Sequence, residues 1–130
     1  MASIFTKIIN EEIPGHIVAQ NEQAVAFLDI NPLHEGHTLV VPRQEVDYLF
    51  DVPEKEYNAL WAFSKKVAHA IGKAITCKRV GIAVIGLEVP HAHIHLIPIN
   101  SVQDIDFSRP KLQFSQEELA ATAQKIAGQF

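Results

Sequence analysis

His91-Ala92-His93-Ile94-His95-Leu96-Ile97 is the stretch that decides how this 130-residue chain is read. Polar and apolar residues alternate without a break, which is the period of a half-buried β-strand. Successive strand side chains point to opposite faces, so His91, His93 and His95 share one face while Ala92, Ile94 and Leu96 plug into a core. Neighbouring imidazoles then stand ~6.7 Å apart along the strand, and the outer two about twice that. Histidine is only intermediate in its tendency to be buried, and each ring carries two nitrogens that need partners. Three in register therefore point to chemistry rather than packing.

Working outward, residues 79–87 form a near-continuous apolar run, read as an interior strand. Only Glu88-Val89-Pro90 separate it from the triad strand over 91–99, so the two are expected to be antiparallel neighbours. Upstream, residues 17–20 and 24–29 read as a hairpin, and the apolar, β-branched segment 37–42 as a further strand entered through Gly36-His37. Ser3 is placed to cap a short helix carrying Phe5, Ile8 and Ile9, which Pro14-Gly15 closes.

Residues 53–76 carry the helical stripe Leu60, Phe63, Val67, Ile71, beside a second stripe of Tyr57, Trp61, Ser64 and Ala68. That second stripe serves either as a broad core face or as a dimer contact, where aromatic residues are enriched. Residues 100–111 are polar and irregular. A last helix starts at Ser115, whose partner Glu118 completes a capping box, with Leu119, Ala123, Ile126 and Ala127 on one face. Helices interleaved with an antiparallel sheet make an α+β fold, here read as one domain over residues 1–130.

Composition narrows the function. Eleven basic against fifteen acidic residues leave a net charge of −4, with no dense Lys/Arg cluster. Long nucleic acids and anionic membranes are therefore not expected partners, whereas a small phosphorylated ligand needs only a local site. One cysteine, Cys77, rules out an internal disulfide. The first ten residues lack a signal-peptide pattern and no apolar run approaches membrane-spanning length, so a cytoplasmic protein is expected.

The histidines themselves allow three uses. Two rings spaced i, i+2 can share a metal ion, but the third lies too far away and no fourth ligand is fixed, although His37 or Glu88 could serve. A neutral imidazole is also a good nucleophile near pH 7, and phosphoryl groups suit a site where neighbouring donors surround the reacting centre. The third use is an inert, solvated polar face.

The sequence resembles the histidine triad (HIT) family, closest to its Hint-like branch, whose motif is His-φ-His-φ-His-φ-φ with apolar φ. The likeness extends through residues 3–9, Glu12-Ile13-Pro14, residues 26–32 and residues 36–42, in the family's order and spacing. The resemblance implies a five-stranded antiparallel sheet with helices, joined across a homodimer into ten strands. It also implies hydrolysis or transfer at the α-phosphate of purine nucleoside phosphoramidates or related nucleotidyl conjugates, without a cofactor.

On that resemblance His93 falls on the nucleophile that forms a nucleotidyl-imidazole, and His95 on the histidine contacting phosphate. His91 falls on the residue orienting the nucleophile, and His37 on a fourth histidine near the triad. Asp29 matches the ribose-binding carboxylate, and Phe5, Ile8, Phe27 and Ile30 match positions lining the base pocket. Three departures stand out. Many bacterial relatives bind zinc through two cysteines and a later histidine, together with the first triad histidine; Ser3, Thr6 and Glu45 occupy those places here, so no metal is expected. Leu87 and Glu88 replace the usual glutamine and Ser/Thr around the leaving group, and the loop before the triad is shorter. These changes motivate the alternative of a nucleotide-binding protein with little turnover.

Overall fold

The computed structural model describes residues 2–130. Helix α1 (Ile4–Ile9) starts where the Ser3 hydroxyl accepts from the Thr6 amide, an N-cap that satisfies an otherwise orphan donor. Strands β1 (Ile17–Gln20) and β2 (Ala24–Leu28) follow, their turn tied by the Asn21 side-chain oxygen, which accepts from the amides of Gln23 and Ala24. Then come β3 (Thr38–Pro42), the long α2 (Glu54–Ala74), β4 (Arg79–Ala83), β5 (Ile94–Ile99) and α3 (Gln116–Ala127). The capping box at Ser115 and Glu118 forms as the sequence suggested.

All strand pairings are antiparallel and the order is β1-β2-β3-β5-β4. The period-two alternation of the two central strands sorts their side chains between two cores. Ala24, Ala26, Leu28, Val40, Ile94 and Leu96 face α2 and α3 in the larger one. Val25, Phe27, Leu39 and Val41 face α1 and pack with Phe5 in the smaller. Both faces of β2 and β3 are buried, so apart from Thr38 at the start of β3 the two strands are apolar. Gly36 turns the chain into β3 at φ +90°, and a Cβ there would meet Ile75 Cγ1 at 2.9 Å, so both conformation and space require glycine.

Three expectations change. The run 79–87 is an edge strand of five residues, because β5 takes β3 on one side and β4 on the other. Val80 packs against the large core, but most of the run's apolar character is not spent there: Ile82, Val84, Ile85 and Leu87 are exposed, Leu87 at 87%. In the last helix, Thr122 takes the buried place expected of Ala127, which faces solvent. The second α2 stripe is divided. Ser64 is buried and donates to the Leu60 carbonyl, while Tyr57, Trp61 and Ala68 are half-buried. No helix among the described residues is long and apolar enough to cross a membrane.

Candidate active site

Regular pairing of the triad strand begins only at Ile94, so His91 and His93 lie on an extended approach to β5. Ala92, Ile94 and Leu96 enter the large core as the alternation requires. The histidine rings emerge on the α1 side. Phe5 meets His91 and His93 at centroid distances of 5.8 and 5.0 Å, and His93 meets His95 at 4.9 Å. The rings lean together more closely than an ideal strand would place them, and all three are buried.

The hydrogen bonds determine where the ring protons sit. His93 Nδ1 lies 2.7 Å from the His91 carbonyl, which can only accept, so Nδ1 carries a proton and in the neutral ring the lone pair is on Nε2. No partner among the described residues engages that Nε2, and His93 lines a cleft of about 370 Å³. On the other side a relay runs through His37. The Leu33 amide donates to His37 Nδ1 at 3.0 Å, so the single proton of a neutral ring is on Nε2 and is donated to His95 Nδ1 at 3.0 Å. His95 must then carry its own proton on Nε2, as a hydrogen-bond donor directed away from His37. A neutral state for both rings follows from their burial. Burial, reinforced by His95, Lys111 and His93, lowers His37 from 6.5 to about 3. Burial and His93 lower His95 to about 4.

His91 is anchored at both ring nitrogens. Nε2 donates to the Pro42 carbonyl at 2.7 Å, so Nδ1 accepts from the Ser3 hydroxyl at 2.8 Å. Burial lowers its pKa against the opposing influence of the Pro42 bond and Glu45, which keeps one proton on the ring. The Glu45 carboxyl is pulled down to about 2 by the Ser3 amide and then by the Thr6 hydroxyl, both of which donate to Oε1.

Asp29 holds the Asn31 amide through Oδ1 at 2.8 Å and stands 3.6 Å from His37 Nε2 through Oδ2. Burial pushes its carboxyl above the ordinary range, against the Asn31 bond and the nearby His93 and Lys111. Asp29, His37 and His95 bring potential ligand atoms within 4.8 Å of one another. The relay nevertheless occupies both His37 nitrogens and His95 Nδ1, so a cation there would have to displace two hydrogen bonds.

Of the expected base-pocket positions, Phe5 touches His93 directly and Phe27 backs Phe5 edge-on at 5.4 Å, with Ile8 packed against the same cluster. Ile30 does not join them and is 57% exposed. His16 and His34 are half-buried and bonded to the Gln116 side chain and the Glu35 carbonyl. His69 is exposed.

The HIT domain family matches residues 10–102 of the chain. The protein belongs to the HIT family. This HIT protein is 33% identical over 132 residues to an uncharacterized HIT-like protein of Borreliella burgdorferi, with 95% of each chain covered. It is 30% identical over 129 residues to the adenosine 5'-monophosphoramidase of Schizosaccharomyces pombe, covering 98% of this chain and 97% of that one. A crystal structure of a Hit-like protein involved in cell-cycle regulation from Bartonella henselae shares the fold with a TM-score of 0.85 at 28% identity, covering 98% and 96% of the two chains. The HIT family therefore includes nucleotide hydrolases.

Two contributors to the HIT site were not legible beforehand. Phe107 places its ring 4.8 Å from His95 and 6.2 Å from His37, on a segment tied down where the Leu112 amide donates to the Pro32 carbonyl. A lone phenylalanine in a polar, irregular stretch was the only signal. The second is the Leu33 amide, a backbone donor that no side-chain pattern reveals.

Proposed function

We propose that this HIT protein is a nucleotide hydrolase or transferase acting at the α-phosphate of nucleoside phosphoramidates or related nucleotidyl conjugates. The observation that carries this reading is the His93 ring. Its Nδ1–H is fixed on the His91 carbonyl, and its Nε2 lone pair is free beside a His95 ring whose Nε2 is a donor.

In this scheme His93 Nε2 attacks phosphorus and the phosphorus–leaving-group bond breaks. The amine departs after taking up a proton, leaving a nucleotidyl-imidazole. The His93 ring becomes cationic as the bond forms, and its Nδ1–H···O=C bond to His91 strengthens with that charge. His95 Nε2–H donates to a non-bridging oxygen, and His37 keeps His95 in the donor tautomer. Water then attacks phosphorus, loses a proton, and returns His93 with its lone pair. Asp29 is assigned to the ribose hydroxyls, and Phe5, Ile8, Phe27 and Ile30 to a purine, with Phe5 forming the wall beside His93.

We assign the functional unit as a homodimer of one-domain chains. The support is the unpaired apolar edge of β4 together with the aromatic run Tyr48, Phe50, Tyr57 and Trp61 next to it, in which Tyr48 and Phe50 are 58% and 68% exposed. Such an edge and patch invite a second strand and a second helix.

Incubation with an adenylated amine tests the enzyme reading: wild type should release AMP and His93→Ala should not, and equal turnover would sink the assignment. The exposure of Leu87 and Glu88 favours a second reading, nucleotide binding with little turnover, since Leu87 offers no hydrogen bond to a leaving group. Calorimetry with AMP, ADP and GMP addresses it, and failure of all three to bind would remove it.

A further inference from the structure

Relatives implied by the sequence resemblance hold zinc where this chain has Ser3, Thr6, Glu45 and His91. The residues here do not fit that ion. Structural zinc sites are closed by thiolates, imidazoles and carboxylates, whereas this set has two neutral hydroxyls, one carboxylate and one ring. Several of their acceptor atoms are also already engaged. Glu45 Oε1 accepts from the Ser3 amide at 2.6 Å and the Thr6 hydroxyl at 2.7 Å. Ser3 Oγ accepts from the Thr6 amide at 3.1 Å, and His91 Nδ1 accepts from the Ser3 hydroxyl at 2.8 Å.

We propose that Ser3, backed by Thr6 and Glu45, is a positioning residue for the nucleophile: its hydroxyl proton anchors the His91 ring and thereby fixes the His91 carbonyl that aims His93. The argument turns on where the sheet stops. Ladder pairing between β3 and β5 ends at Val40 and Ile94, so the His91 carbonyl lies outside the strand register. Its geometry depends on the bonds around residue 91. The His91 amide donates to the Val89 carbonyl at 2.8 Å and the Ala92 amide to Val46 at 2.7 Å, which hold the chain on either side. The ring bridges from the end of β3, at Pro42, to the start of α1, at Ser3. With the Thr6 hydroxyl proton committed to Glu45, the Ser3 hydroxyl proton remains for His91. A hydrogen-bonded relay thus does the holding that a metal does in those relatives, and the His93 Nδ1–H···O=C bond of 2.7 Å transmits it to the nucleophile.

This inference rests on the reading of His93 as nucleophile, so its test has a readout independent of turnover. Long-range 1H–15N correlation of the histidine rings reports the hydrogen bonding of each nitrogen, and steady-state kinetics with an adenylated amine reports the aim. The variant is Ser3→Gly, because glycine is tolerated at an N-cap nearly as well as serine and the fold is retained. Ser3→Gly should shift the His91 Nδ1 resonance away from its hydrogen-bonded position. It should also lower kcat about 10- to 100-fold with KM changed less than about threefold. Ser3→Thr, which keeps the hydroxyl, should restore both. A Ser3→Gly protein with the wild-type His91 Nδ1 resonance, or with wild-type kcat, overturns the proposal. If wild type turns over no adenylated amine, the enzymatic reading falls by itself. The ring signals then decide the relay: Ser3→Gly must move the His93 Nδ1–H resonance as well as that of His91, and its failure to do so overturns the proposal.

Discussion

Acidification from pH 7.5 to pH 5 should cost this protein a large share of its stability, well before its carboxylates are protonated. His37 and His95 are held neutral in the fold, at about 3 and about 4, against 6.5 for an ordinary histidine. Both values are depressed, so the unfolded chain binds more protons than the native one at every pH between them and 6.5. Stability therefore falls as pH falls through that window. At pH 5 an unfolded ring is one and a half pH intervals below its pKa while the native ring is still unprotonated. At 1.36 kcal/mol per interval this amounts to about 2 kcal/mol for each ring. The figure does not depend on how far below 5 the native values lie. His91, also depressed, acts in the same direction, and Asp29, whose carboxyl is raised, opposes the loss only nearer its own titration range.

Together the two relay rings contribute roughly 4 kcal/mol, which for a chain of this size lowers Tm by on the order of 10–20 °C. Calorimetric or circular-dichroism melts at fixed protein concentration, from pH 7.5 to 5, measure this directly; a fixed concentration matters because the proposed dimerisation would make Tm concentration-dependent. His37→Phe, which removes one of the two rings, should show about half the loss. A wild-type Tm that holds constant across this range would mean that the rings take up protons in the fold as readily as in the unfolded chain, and the neutral state on which the proton assignments of the relay rest would be wrong.

Other perturbations separate scaffold from site. His37→Gln removes the ring whose proton sets the His95 tautomer, and kcat with an adenylated amine should fall about 100-fold as measured under saturating substrate. Ile94→Ala empties a fully buried position between His93 and His95, and denaturant titration should show a loss of about 2–5 kcal/mol. Ile82→Lys puts a charge on the exposed edge of β4, and sedimentation velocity should show a dimer for wild type and monomers for the variant.

The alternation at 91–97 and the helical stripe of α2 were legible because period-two and period-3.6 patterns map directly onto faces. Ala92, Ile94 and Leu96 went to the core on that basis, and Ser3 and Ser115 cap helices because their chemistry is local. The edge position of β4 was not legible. A continuous apolar run reads as interior whether its second neighbour comes from the same chain or elsewhere, and no local signal distinguishes the two. At the site, side-chain identities suggested four histidines acting together, yet their proton positions depend on backbone groups: the Leu33 amide and the carbonyls of Pro42 and His91. Such contacts belong to tertiary geometry and leave no mark in residue type. Phe107 was missed for a similar reason, since its place over His95 depends on a loop without periodicity.

The central claim is that His93 attacks phosphorus. Rapid acid quench of the protein with an adenylated amine, followed by digestion and mass spectrometry, tests it most directly. The account predicts an added nucleotidyl mass on the peptide containing His93, localised to that ring and absent from His93→Ala. AMP release without any such adduct, or an adduct on a different residue, would contradict it.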